Sequence, residues 1–510
     1  MLARQLANPE KVHILLAVAW LLVLVACSSE LEENQSTRTQ AAAVRATDPR
    51  PSVILVVLDT LRADAVSSYG VVKGTTPALD RLAEGGIRYS RAYAPAPWTV
   101  SSHTTLFSGL RVDQHGVGLE GGSVAPGSLQ MLAETFHDAG YLTAGFSENT
   151  LVSAEFGFDQ GFDLLEAPDV LEVINAAMTG DDQSFDLGLI DRVRRWDRRR
   201  DKSLPFFLFV NIFDAHDPYE VRKVNPWVSE NVSQDEVEFI QSRYPISTAL
   251  CGGVPERNNL EVLRGLYLGD VAAADSKLEE LLQVFDLESN SEPHLIVTTS
   301  DHGEHLGENR LMGHQFSVRH PALHIPLIVS GLPNVAATTI ERPVELRQVH
   351  DSLLCWALGE ACATSLPVTK PLELLESETS EPIFSIYSDS IARLPKRLVD
   401  QLDISDYENF VDPARSKCNA VDRVFGDMVS MIRYPMKITW FGENDPVLHD
   451  LSWDPAERFD QMELQPERAS RLFEELEEFV RLNVVLRDRQ EVPELSEEAV
   501  RALKSLGYLQ

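Results

Sequence analysis

The residues able to do chemistry in this chain stand at the ends of apolar runs. Asp59 follows Ser52–Leu58 (SVILVVL), Asp214 and His216 follow Phe206–Ile212 (FFLFVNI), and Asp301 and His302 follow His294–Thr299 (HLIVTT). Thr99 follows the Pro-rich approach APAPW, and His314 lies in the loop beyond the Asp-His pair. Carboxylates, imidazoles and a hydroxyl form a hard-to-borderline donor set, suited to one or two divalent ions: Zn²⁺, Mn²⁺, Ca²⁺ or Mg²⁺. A cation touching Thr99 would lower the pKa of its hydroxyl and make it a nucleophile at neutral pH. Asp59, Thr99, Asp214, His216, Asp301 and His302 are thus candidate metal ligands or oxyanion partners. Thr99, His216 and His314 are the candidate catalytic groups.

The elements that must position them follow from pattern. A continuous apolar run reads as a strand buried on both faces, and open α/β sheets place ligands at the carboxyl ends of such strands. A helix is expected from Ser102 to about Leu110, with Ser101 or Ser102 as N-cap, so that Thr99 enters it beneath unpaired N–H groups. Further helices are read at Ser128–Ala139, Leu260–Phe285 and Ser470–Leu486, with a strand at Tyr141–Phe146. Plainer readings compete: Thr99 and Asp59 as helix caps, and His314 as a surface imidazole. The basic cluster Arg192–Arg200 reads as a solvated helix face, and Cys355, within VHDSLLCWAL, as a buried thiol.

The net charge of −33 argues against nucleic acid and against an anionic membrane surface as partners. An anionic substrate would therefore be drawn by a local site and not by the overall field. The apolar run Ile14–Ala26 is too short for a membrane span and ends Leu24-Val25-Ala26-Cys27. It resembles the lipobox of bacterial lipoproteins, in which acyl chains are attached to the cysteine. The expectation is a signal peptide over 1–26, a polar tether over 27–50, and membrane contact only through a lipid on Cys27. Because Ser28 and Ser29 follow, an outer-membrane anchor facing the periplasm or the exterior is expected.

The segments VVLDTLRAD, TTPALDRLAEGG, APWTVSSHTTLFSG, FFLFVNIFDAHDPY, TSDHGEHLGENRLMGH and LHDLSWDPAE together resemble the sulfatase family of the alkaline phosphatase superfamily. The resemblance implies an α/β catalytic domain over 51–365, with a central mixed sheet flanked by helices, and a smaller α+β domain over 366–510. It also implies a metal-dependent ester hydrolase in which Asp59, Thr99, Asp301 and His302 hold one metal, while Asp214, His216, His314 and Asn149 either build a second metal site or bind substrate. One departure is chemical. Family sulfatases carry C-x-P-x-R, whose cysteine matures to formylglycine, whereas the corresponding text here is Thr99-Val-Ser101-Ser-His103. Threonine has one hydroxyl, so its ester must be cleaved by water at the central atom, a route familiar for phosphorus in related phosphodiesterases. Hydrolysis of phosphate mono- or diesters through a covalent Thr99 intermediate is therefore expected. The alternatives are a sulfatase working without formylglycine, a phosphoryl transferase, and a binding lipoprotein with a dead site. The substrate class is an anionic ester of a small molecule, glycan or lipid.

The N-terminal reading has a direct test. Wild-type protein should partition with membranes, and Cys27→Ala should release it or block processing, as read by fractionation and mass spectrometry. Soluble, unacylated wild type would overturn the lipobox reading.

Overall fold

The computed structural model describes residues 50–70, 72–119, 124–168, 188–220, 222, 225–229, 232–233, 235–237, 240, 257–285, 294–314, 317–359, 381–388, 427–442 and 444–485. Cys27, the tether, the boundary at 365/366 and the C-terminal segment 495–510 lie outside them. Residues Pro51–Gln510 form one compact unit.

Through the first part of this unit the elements are β1 (Ser52–Leu58), α1 (Pro77–Gly85), β2 (Ile87–Tyr89), β3 (Ala92–Tyr93), α2 (Thr99–Ser108), α3 (Val112–His115), α4 (Leu132–Asp138), β4 (Leu142–Ser147), β5 (Leu164–Glu166), α5 (Leu189–Arg199), β6 (Phe206–Ile212), α6 (Arg257–Val284) and β7 (His294–Thr299). There follow β8 (His305–Leu306), β9 (Met312–Gly313), α7 (His320–Leu323), β10 (His324–Ile325), β11 (Leu327–Ser330), β12 (Thr338–Ile340), β13 (Val344–Glu345) and α8 (Gln348–Leu358). The chain ends its described course with β14 (Ile383–Tyr387), β15 (Met428–Arg433), β16 (Met436–Phe441), β17 (Asn444–Asp450) and α9 (Pro466–Phe479).

The central sheet has eight strands in the order β12-β2-β11-β7-β1-β6-β4-β5. Strand β1 runs parallel to both neighbours, β6 and β7, whereas β11 is antiparallel to β7 and β2, so the sheet is mixed. Side chains alternate across β1: Val53, Leu55 and Val57 enter one core, Ile54, Val56 and Leu58 the other. The first core is covered by α2, α4 and α8 through Phe107, Phe136 and Leu353, among others. The second lies under α1, α5 and α6, through Leu79, Val193 and Tyr267. Burial on both faces explains why the strands that carry the site residues read as unbroken apolar runs.

Two boundaries differ from expectation for identifiable reasons. Helix α2 begins at Thr99, with Trp98 as its N-cap and no side-chain cap bond. Ser102 is inside the helix, and its hydroxyl donates to the Asp301 carbonyl at 2.7 Å. The last helix begins at Pro466, because proline suits a first helical position, and runs from Phe479 into a π turn over Val480–Val485. Cys355 is not a thiol: it is disulfide-bonded, with a partner cysteine outside the described residues.

The small antiparallel sheet, β14-β15-β16-β17, carries a third core against α9. Its Lys437 is fully buried, donating to the Val318 carbonyl at 2.5 Å and to Glu457 at 2.6 Å. Burial pushes the Glu457 carboxyl up, but Lys437, Arg319 and His449 outweigh it and hold it at about 2. Removing one partner of such a pair leaves a buried charge uncompensated, which costs about 3–5 kcal/mol. Glu457→Gln should therefore lower the thermal midpoint sharply, and Lys437→Met added to it should recover much of the loss. Calorimetry of the single and double variants measures both.

Candidate active site

Register assembles the site. The β1–β7 ladder pairs Val57 with Thr299, and the same offset sets Asp59 beside Asp301 at the two strand ends. Asp59, Asp301 and His302 are fully buried, and one ligand atom from each lies within 4.8 Å of the others. Strand β6, on the other flank of β1, brings Asn211, and the turn after β4 brings Asn149. Their amides donate to Asp59 Oδ2 at 3.3 and 2.8 Å. Asp301 Oδ1 accepts from the backbone N–H groups of Thr60 at 3.2 Å and His302 at 2.9 Å. Thr60 holds φ at 55°, a left-handed conformation that is unfavourable for a β-branched residue and is kept here by contacts on both sides.

The remaining oxygens, Asp59 Oδ1 and Asp301 Oδ2, are buried with no hydrogen-bond partner. Burial, and then the Asp301 charge, pushes the Asp59 carboxyl up. Burial pushes Asp301 up to about 7 against its hydrogen bonds. Two adjacent carboxylates with orphaned oxygens and raised pKa values fit a divalent cation, which would supply the missing partner and restore both charges. The donor set therefore passes as a site for one such ion.

Thr99 completes the cluster. Its side chain is fully buried on the first residue of α2, and its Oγ1 lies 3.4 Å from His302 Nε2. The His302 Nδ1 contact to the Gly303 carbonyl at 3.0 Å assigns the ring proton to Nδ1 and turns the Nε2 lone pair toward Thr99. His103 sits one turn along α2, with Nδ1 on the Thr99 carbonyl at 2.9 Å and Nε2 facing the Asn211 amide at 3.1 Å. It thus fastens the Thr99 turn to strand β6. Desolvation lowers its pKa to about 4, so it is a neutral ring.

His314 joins this group: its ring centroid lies 4.4 Å from that of His302 and 5.3 Å from that of His216. Burial lowers the pKa values of His216, His302 and His314, which makes all three neutral imidazoles. Asp214 stands apart. It is held by Lys277 at 2.5 Å and Arg222 at 3.2 Å, and so braces α6 against the end of β6.

Sequence reasoning passed over Asn211, hidden inside an apolar strand, and Glu304. Glu304 is fully buried, accepts a hydrogen bond from Tyr219, and has Oε1 3.6 Å from His314 Nδ1. Desolvation and the Asp217 charge push its carboxyl well up. The text TSDHGEH announced the residue, but nothing in spacing alone told it from a solvated loop acid.

Comparison with known proteins agrees with this geometry. The sulfatase family model matches residues 51–359. The arylsulfatase of Clostridium perfringens is 20% identical over 370 residues, covering 60% of this chain and 75% of its own length. The ulvan-active sulfatase of Formosa agariphila is 22% identical, covering 60% of this chain and 61% of its own. Among solved structures, the phosphonate monoester hydrolase of Agrobacterium radiobacter superposes with a TM-score of 0.60 at 17% identity, covering 87% of this chain and 98% of its own. The phosphonate monoester hydrolase of Silicibacter pomeroyi gives 0.61 at 15% identity, covering 88% of this chain and all of its own. With the matched region spanning the whole site, the chain belongs to the sulfatase family and is a hydrolase acting on sulfuric or phosphoric esters.

Proposed function

We propose that this protein hydrolyses phosphate mono- or diesters through a covalent ester on Thr99. The observation that carries this reading is the Thr99 hydroxyl, buried at a helix start and 3.4 Å from His302 Nε2; the resemblance in sequence aligns it with the cysteine that matures to formylglycine. Asp59, Asp301 and His302, with Thr99, would hold a divalent ion, whose charge favours the threonine alkoxide and offsets that of the bound ester. Thr99 Oγ1 attacks the central atom in line with the leaving group. The first N–H groups of α2 and the rings of His216 and His314 bind its other oxygens. His314 would give the leaving alkoxide its Nε2 proton while taking one at Nδ1 from Glu304, whose Oε1 lies 3.6 Å away. Water then cleaves the Thr99 ester at phosphorus. The structural likeness to two phosphonate monoester hydrolases supports phosphorus as the central atom.

A second reading, sulfuric ester hydrolysis without formylglycine, is favoured by the sulfatases among the similar proteins, the ulvan-active enzyme included. The two differ in what Thr99 can release. Rapid quench with isotopically labelled phosphate ester should leave transient label on the Thr99 peptide, and labelled sulfate ester little label or a trapped adduct. Sustained turnover of the sulfate ester would favour the second reading. We also place the enzyme in the bacterial cell envelope, anchored through Cys27 and acting on an anionic ester of a small molecule or glycan.

Thr99→Ala should abolish turnover, by a factor on the order of 10⁶ in kcat, while the protein keeps its fold and most of its metal. Thr99→Ser should retain measurable activity. A wild-type rate in Thr99→Ala would make Thr99 a helix residue and nothing more. For the metal, Asp59→Asn/Asp301→Asn should purify without the ion, whereas His302→Ala should bind it more weakly because two carboxylates remain. Elemental analysis decides, and full metal content in the doubly substituted protein would overturn the assignment.

A further inference from the structure

A cavity of about 710 Å³ lies beside the catalytic loop, within the ~300–1,000 Å³ typical of small-molecule sites. Asp59, Thr99, Asp301 and His302 take no part in its wall. It adjoins their loop: Leu306 and Glu308 line it, and a Cβ on Gly303 would stand 3.2 Å from Arg62 Cγ and 2.2 Å from the Pro321 carbonyl, both residues of the wall.

Five arginines line it: Arg62, Arg88, Arg91, Arg264 and Arg458. Only two carboxylates face them, Asp64 and Glu308, and both are already engaged. Asp64 grips Arg62 through two bonds of 2.8 and 2.7 Å, and Glu308 takes Arg62 at 3.0 Å and Arg264 at 3.4 Å. Arg91 has a distant carboxylate, Glu341 at 4.0 Å. Among the described residues, Arg88 and Arg458 have none. Two positive charges are thus unneutralised here and a third, on Arg91, is loosely paired, on a chain whose net charge is −33. His320 adds a buried Nδ1 with no hydrogen-bond partner in the same wall.

The rest of the lining narrows the ligand. The Arg88 guanidinium lies 5.2 Å from the Tyr69 ring centroid, and Arg91 lies 4.0 Å from that of Tyr434. Those stacks, with bonds from Arg88 to the Ser68 carbonyl and Thr339 Oγ1 and from Arg91 to the Glu341 carbonyl, fix two guanidinium charges in the wall. They also cover the ring faces on which a nucleotide base would stack. Leu451, Pro455, Ala456 and Arg458 enter the wall from a segment that also carries Trp453 and Phe459. These two rings are 56% and 58% exposed, with centroids 5.8 Å apart. Fixed guanidinium forks beside a solvent-facing aromatic pair match a pyranose ring that bears sulfate, carboxylate or phosphate: forks for the anion, indole for the C–H face. We propose that this cavity is a subsite for an anionic saccharide unit, separate from Thr99 and independent of the covalent mechanism there.

Titration calorimetry on the full-length Thr99→Ala protein tests this without turnover, using a sulfated hexasaccharide prepared from heparin. Saturable, salt-sensitive binding is expected, weakened at least tenfold by Arg91→Gln/Arg458→Gln, with Trp453→Ala also weaker. In the Thr99 background, the double arginine variant should hydrolyse a small aryl ester at the unsubstituted rate. Should the double variant fold poorly by circular dichroism, Arg458→Glu, a change at an exposed side chain, takes its place. Absence of binding, or binding that the arginine variants leave unchanged, would overturn the proposal. So would equal affinity for inorganic sulfate or uncharged maltohexaose, or tighter binding of ATP. Failure of ester hydrolysis in the unsubstituted enzyme would count against the Thr99 mechanism alone.

Discussion

Two carboxylates share one dry site, and the rest of the catalytic domain is arranged around that constraint. Asp59 and Asp301 are fully buried, and each resists ionisation for lack of water. Amides from Asn149 and Asn211 serve one of them, backbone N–H groups from Thr60 and His302 the other, and an oxygen of each is left over. Such an arrangement is costly without a cation, since leaving a buried polar group unpaired costs about 1–3 kcal/mol or more. It is built from the pairing of β7 with β1, so a slip of one residue in that ladder would part the carboxylates. Catalytic geometry and sheet register are here the same quantity.

The histidines gain their character from the same dryness. An exposed imidazole would titrate near neutrality, but burial holds His103, His216, His302 and His314 neutral. A neutral ring offers one N–H and one lone pair, and here the lone pair can be directed. In His302 the proton lies toward the Gly303 carbonyl, which leaves Nε2 for the Thr99 hydroxyl. In His103 one nitrogen meets the Thr99 carbonyl and the other an amide of β6. The second ring does by hydrogen bonding what a longer cationic side chain would do by charge, and it adds no positive charge beside the carboxylates.

How much of this was legible in the sequence depended on whether the determining contacts were local. Ser52–Leu58, Phe206–Ile212 and His294–Thr299 are strands where expected, because burial on both faces leaves unbroken apolar runs. Asp59, Asp301 and His302 came with them, as polar residues at strand ends. Asp214 has the same placement in the text, yet it turns to Lys277, a partner more than sixty positions away that no local pattern announces. Asn211 failed to register for the opposite reason: its neighbours FFLFV and I are those of a core strand, and only the β6–β1 pairing aims it at Asp59. The start of α2 was read three residues late because its serines looked like caps. In the fold Ser102 spends its hydroxyl on the Asp301 carbonyl, a contact between parts of the chain about two hundred residues apart.

The small C-terminal sheet bears on the site more directly than its distance in sequence suggests. The approach to Thr99 is Ala94–Trp98, a stretch with two prolines and few backbone donors of its own. Strand β14 supplies what it lacks: Ser385 Oγ donates to the Ala94 carbonyl at 2.7 Å, and the Ile386 N–H donates to Pro95 at 2.8 Å. Ala96 and, beyond α2, Val112 are packed in the small sheet's own core. On the other side, Ser102 ties α2 to the Asp301 carbonyl. The Thr99 turn is therefore held between two elements, one carrying the candidate metal ligands and the other belonging to the smaller sheet. Under the proposed mechanism, a helix start fixed from only one side would leave Thr99 free to move by the fraction of an ångström that separates a productive line of attack from an idle one. The smaller sheet supplies that second hold and is in this sense part of the framework of the candidate site.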